Sequence, residues 1–226
     1  MTFSPKKIAI LLTGLSIIVF AGALLRNNLH PSFFLKLLYD DAKEFAAKGT
    51  ITQDFMPIGY SGFVGACVKV GGEGSIPACQ ALIYSGILFA AFVFLYLAGI
   101  RGAWLLLGTL GAGFHPLVLL NVWRIHDGNP TVLLVLGFLA CGLWYMKSKN
   151  GWSIVAWGAI TGLMLVARVN TILLILPAMF LLRKKTILFL ASTALVFMAV
   201  NMAIKQTPFF FPSHGYYNLF SGANEY

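Results

Sequence analysis

The sequence predicts an all-α, polytopic membrane protein of about seven helices, and three observations carry that prediction. Of 226 residues, 59% are apolar and only 10% charged, with a mean hydropathy of +0.84. A soluble domain carries about a quarter charged residues to cover its surface. Apolar runs near the ~20 residues of a spanning helix recur along the chain. Most of the basic residues stand in short clusters beside those runs. Soluble globules, disordered tails and disulfide-stapled miniproteins are thereby excluded. The net charge of +9 is a topology signal and calls for no nucleic-acid partner.

Taken in order, the first helix covers Ile8 to Leu25 after Lys6 and Lys7. Its apolar stretch exceeds a signal-peptide core and leads into Arg26-Asn27-Asn28 without a small-residue cleavage site, so it reads as a retained span. A polar loop follows over about 26–77. The second span runs from Ala78 to Leu97 and the third from Ala103 to Val122. The fourth runs from Thr131 to Met146, ahead of Lys147 and Lys149. The fifth, Trp152 to Ala167, and the sixth, Thr171 to Leu182, are short. At 1.5 Å per residue they rise about 18 to 24 Å against a ~30 Å hydrocarbon core, which predicts Arg168 at membrane depth in a protein-lined cavity. The seventh, Thr186 to Ile204, follows Arg183-Lys184-Lys185 and leads to an aromatic tail. The lysine clusters put the N-terminus in the cytoplasm of an inner or plasma membrane. All seven acids, Asp40, Asp41, Glu44, Asp54, Glu73, Asp127 and Glu225, then fall on the outer face.

The first outer loop carries the most chemistry. Tyr39 to Gly49 reads as one short amphipathic helix stopped by glycine, with Leu37, Leu38 and Phe45 against the lipid interface and Lys43 and Lys48 toward water. Asp41-Ala42-Lys43-Glu44 also fits a capping box, with Asp41 accepting from free backbone amides. Cys67, Cys79 and Cys141 lack metal-ligand spacing. The first two could meet in the outer loop, but small apolar filler is the preferred reading. His30, His115, His126 and His214 show no tight spacing, so no cofactor is expected and a divalent metal, though open, has no support. Gly71, Gly72 and Gly74 lack the lysine and the strand-helix setting of a nucleotide loop.

An acid after the first helix, an aromatic four residues on, a closing glycine and the block Pro57-Ile58-Gly59-Tyr60 together resemble the multi-spanning glycosyltransferases of the C-type membrane fold. Protein mannosyltransferases and lipid A aminoarabinose transferases belong to that group. Pro116 followed by Arg124 and Asp127, the element Arg168-Val169-Asn170, and Asn218-Leu219 with Gly222 and Asn224 extend the likeness over nearly the whole chain. Phe45 stands where the pattern has tyrosine, and Ser61 where it often has proline. The resemblance implies a single module, residues 1–226, corresponding to the conserved N-terminal part of a longer cell-envelope enzyme. It implies sugar transfer from a polyprenyl-phosphate carrier at the outer membrane face, an inverting displacement with membrane lipid at hand and room for a partner membrane subunit. Asp41 would be the base, with Asp40 as second choice. Arg168 and Arg124 would bind the donor phosphate, and Asp127, His126, Tyr60 and Asn218 would complete the pocket. Two other readings stay open: a non-catalytic carrier-binding subunit or flippase, and a small transporter.

Overall fold

The computed structural model describes residues 5–25, 33–53, 58–122 and 128–209. Every regular element among them is helical: α1 (Pro5–Leu25), α2 (Phe33–Lys48), α3 (Ile58–Gly71), α4 (Ile76–Leu97), α5 (Gly102–Gly113), α6 (Pro116–Val122), α7 (Gly128–Ser148), α8 (Gly151–Ala167), α9 (Ile175–Leu182) and α10 (Thr186–Lys205). Eight of them lie over the seven hydropathy segments, α5 and α6 together over the third, while α2 and α3 fall in the first loop. By length and composition, the stretches Glu73–Leu97, Gly128–Ser148 and Asn170–Lys205 are able to cross a membrane, and α5 with α6 makes a fourth if that pair, bent by 54°, is one span. The α8 helix and the stretch Ile10–Val19 in α1 are apolar but shorter, at 10–17 residues.

Outward faces are apolar where a soluble protein would be polar. Ile10, Trp104, Phe180 and Ile187 are each at least 70% exposed, a surface suited to hydrocarbon. Three buried threonine hydroxyls within the helices are satisfied locally: Thr109 donates to the Leu105 carbonyl, Thr161 to Trp157 and Thr193 to Phe189, each at 2.8 to 2.9 Å. That pattern suits a medium with no water to take the bond.

Glycine sets the closest helix contact. A Cβ on Gly158 would stand 2.5 Å from the Phe189 carbonyl oxygen, and one on Gly162 would stand 2.6 Å from that of Thr193. The two glycines, four residues apart, let the backbones of α8 and α10 approach along a common seam. Successive contacts advance together, Gly158 with Ser192, Gly162 with Phe197, and Leu165 and Val166 with Phe197 and Ile204. Thus α8 and α10 run parallel, and α9 returns the chain between them. At one end of the bundle the Lys185 ammonium donates to the Lys149 carbonyl at 2.9 Å. The other end holds α2, α3, the residues 49–53 and the last turn of α10.

Four expectations are corrected here. The outer loop contains two helices, α2 and α3, packed as a hairpin, rather than one, because Gly65 admits the Ala42 carbonyl and Phe45 ring at its bare Cα. Leu38 is buried and Phe45 packs on a protein core, so neither faces lipid. The third segment is bent at Phe114 and His115, ahead of Pro116, which cannot continue a helix from the preceding turn. Finally, Cys67 and Cys79 form a disulfide across the junction of α3 and α4 and are not filler, since the intervening turn at Glu73–Ser75 brings the two helix ends together. The glycine stop holds: Gly49 has φ 75° and its N–H reaches the Phe45 carbonyl at 2.8 Å.

Candidate functional site

Asp41 lies in the interior of α2, as its ninth residue. It is therefore not a helix cap, and the capping-box reading fails. Its side chain is 6% exposed, and Oδ2 accepts from Gln53 Nε2 at 2.7 Å. Gln53 in turn offers its backbone carbonyl to the Lys205 ammonium. A carboxylate, an amide and an ammonium from three separate parts of the chain thus meet at one point. Burial pushes the Asp41 carboxyl up to about 6, with Glu44 and Asp40 adding to the rise and the Gln53 bond and Lys205 charge opposing it.

The residues 49–53 are tied down on both sides. The Glu44 carboxylate accepts from Thr52 N at 3.0 Å and from Thr52 Oγ1 at 2.8 Å. It also accepts from Lys48 at 3.1 Å. The Thr52 amide, with its hydroxyl and Lys48, holds Glu44 below the usual carboxylate range. Ile51 N donates to the Ile204 carbonyl at 3.1 Å. Further along α2, Lys43 pairs with Glu73 at 2.9 Å, and Tyr39 donates to the same carboxylate. Glu73 stands between the two bridged cysteines in sequence, so the disulfide-closed turn is clasped to the helix that carries Asp41.

Arg168 sits at the same end. Gly59 at the start of α3 packs on the backbone of Val166 and Ala167, where an added Cβ would come within 3.1 Å. Ile51, Ile58, Val166 and Ile204 share one buried cluster, which joins the Asp41 region to the end of α8. Arg168 itself caps α8 in extended backbone and is exposed, not enclosed by protein as the short flanking helices suggested. Its carbonyl accepts from both the amide and the hydroxyl of Thr171, at 3.1 and 2.6 Å, which turns the chain sharply into α9.

An apolar cavity of about 200 Å³ opens between α3, α4, α7, α8 and α10, lined by Tyr60, Phe63, Pro130, Leu163 and Ala167 among others, and by neither Asp41 nor Arg168. Tyr60 is buried, and its hydroxyl accepts from Gln80. Gln80 Oε1, Ser61 Oγ and both polar atoms of the Asn201 amide are buried without a hydrogen-bond partner among the described residues. Asp40 is exposed on α2. Arg124, His126, Asp127 and Asn218 lie outside the described residues. Among those described, no three His, Cys, Asp or Glu side chains group as a metal site would require.

Gln53, Lys205, Gln80 and Asn201 were not singled out from the sequence. A lysine ending an apolar helix on the face that the lysine clusters leave behind was the signal for Lys205. Nothing local marks Gln53. No protein-family model, no curated protein and no solved structure matches this chain.

Proposed function

We propose that the chain is an integral membrane glycosyltransferase that moves a sugar from a polyprenyl-phosphate carrier to an acceptor hydroxyl on the non-cytosolic side. The observation that carries this reading is a buried carboxyl pushed up to about 6, at the same end of the bundle as an exposed arginine and an apolar cavity between α3, α7 and α8. A general base works best with a pKa near the working pH, and Asp41 has been brought there from the ordinary 3.8. In the reaction, the acceptor oxygen bonds the anomeric carbon as its proton passes to Asp41. The sugar–phosphate bond breaks on the opposite face, and the phosphate leaves with the electron pair, so configuration inverts. Gln53 fixes Oδ2 and leaves Oδ1 to take the proton. Arg168, with Arg124 from the second outer segment, meets the leaving phosphate, and the cavity takes the first part of the prenyl chain. The Cys67–Cys79 bridge supports an oxidising, non-cytosolic setting for this end.

One observation favours a second reading. Asp41 is covered and bonded as a structural clasp would be, which suits a carrier-binding subunit without chemistry. Reconstituted protein offered polyprenyl-phosphate sugars and a hydroxyl acceptor separates the two. For the enzyme, Asp41→Asn abolishes transfer while the fold and carrier binding persist. For the binding subunit, Asp41→Asn retains carrier binding and only Arg168→Ala loses the carrier.

A further inference from the structure

The end of the bundle opposite Asp41 and Arg168 has a second groove, of about 240 Å³, between α4, α7, α8 and α9. Phe94, Leu139, Gly142, Met146, Trp157 and Leu181 are among its lining residues. Trp157 is 2% exposed and sits among Phe138, Tyr145 and Phe189 with ring centroids 5.3, 6.2 and 5.7 Å away. Its indole N–H has no acceptor among the described residues. A buried donor left unpaired is costly, and tryptophan in such a place ordinarily finds a partner. Gly142 lets α7 pack directly on the indole edge: an added Cβ there would be 3.0 Å from Cζ2 and 3.4 Å from Cε2, the carbon that bears the N–H nitrogen.

Beside this groove, two ammonium groups share one aromatic ring. Lys149 Nζ is 4.9 Å and Lys185 Nζ 5.8 Å from the centroid of Tyr145, the same ring that packs on Trp157. Neither lysine pairs with a carboxylate among the described residues, whose acids Asp40, Asp41, Glu44 and Glu73 all belong to the other end. Arg183 and Lys184 add charge of the same sign. Like charges gathered without a counterion form a site for an anion. Trp157 lies six residues into α8, about 9 Å below its start. A headgroup layer is about 5–7 Å thick per leaflet, so the indole N–H falls just beneath it.

We propose that this groove binds one anionic phospholipid. The phosphate lies against Lys149 and Lys185, and an acyl chain runs along Leu139 and Leu181. Electrostatic attraction supplies selectivity and the apolar walls supply the fit for a chain.

Native mass spectrometry of the purified full chain, titrated with phosphatidylglycerol, phosphatidylcholine or inorganic phosphate, tests this. One phosphatidylglycerol is retained in preference to phosphatidylcholine. Replacing both Lys149 and Lys185 by Gln lowers phosphatidylglycerol affinity by about 30-fold, and Lys149→Gln alone by about fivefold, at roughly 1 kcal/mol per lysine. Leu181→Trp, at a position 52% exposed, plugs the groove and weakens both lipids. Lys69→Gln, at the other end, changes neither. Equal retention of the two lipids, a preference that survives the lysine variants, or an equal loss from Lys69→Gln overturns the proposal, as does inorganic phosphate competing as well as the lipid.

Discussion

At the scale of the residue, Asp41 decides most. Its carboxyl has an ordinary value of 3.8 and rises to about 6 in the folded chain. The folded state therefore holds a proton that the unfolded chain has released between those two values. Stability from this group is present below about pH 4, is lost as pH climbs to about 6, and is level above. Asp41→Asn removes that slope: thermal melts of the variant match the parent at pH 4 and exceed it at pH 7, the Gln53 bond being one that an amide oxygen also accepts. Catalysis runs the other way, because the base must be ionised. Initial transfer rates at fixed substrate should rise through about pH 6 to a plateau, and a flat profile would remove Asp41 from the proton transfer. Asp41 itself was legible as a loop acid near the first span. Its burial was not, since Gln53 and Lys205 are separated by 152 residues and no local pattern links them.

At the scale of the element, the α8 and α10 seam is the most sensitive contact. Gly158→Ala drives a methyl into the Phe189 carbonyl and Ser192, and Gly162→Ala drives one into Thr193 and Val196. Backbone cannot rotate away as a side-chain tip can, so each substitution should cost about 1–3 kcal/mol by overpacking. Gly14→Ala in α1 meets nothing within 4 Å and should be neutral or slightly stabilising, since alanine favours helix over glycine by up to about 1 kcal/mol. Melting temperatures in one detergent compare the three directly. The four-residue spacing of Gly158 and Gly162 marks a close approach without naming the partner, so only packing decides which helix they admit.

For the whole molecule, the two ends differ in chemistry. The disulfide, the described acids and Arg168 gather at one, and Lys147, Lys149 and the Arg183–Lys185 turn gather at the other. The proposed orientation sets the first outside and the second in the cytoplasm. After mild reduction of intact cells or sealed vesicles, a membrane-impermeant maleimide should label Cys67 and Cys79. A cysteine placed at Lys184, in a chain whose Cys67 and Cys79 are Ser, should be labelled only once the membrane is opened. Labelling of Lys184→Cys in intact cells would invert the molecule and put the Asp41 site on the cytoplasmic side.

The sequence by itself determined the helical segments and the opposition of acids and lysine clusters, because hydropathy and charge act on short, contiguous stretches of chain. It also placed the glycine stop at Gly49, where one positive φ angle is enough. Only the tertiary structure decided that α3 folds back on α2, that Cys67 meets Cys79, and that Asp41 is covered by Gln53 beside Lys205. Those outcomes depend on which surfaces pack together over long separations, and packing is a property of pairs of elements that no single stretch carries.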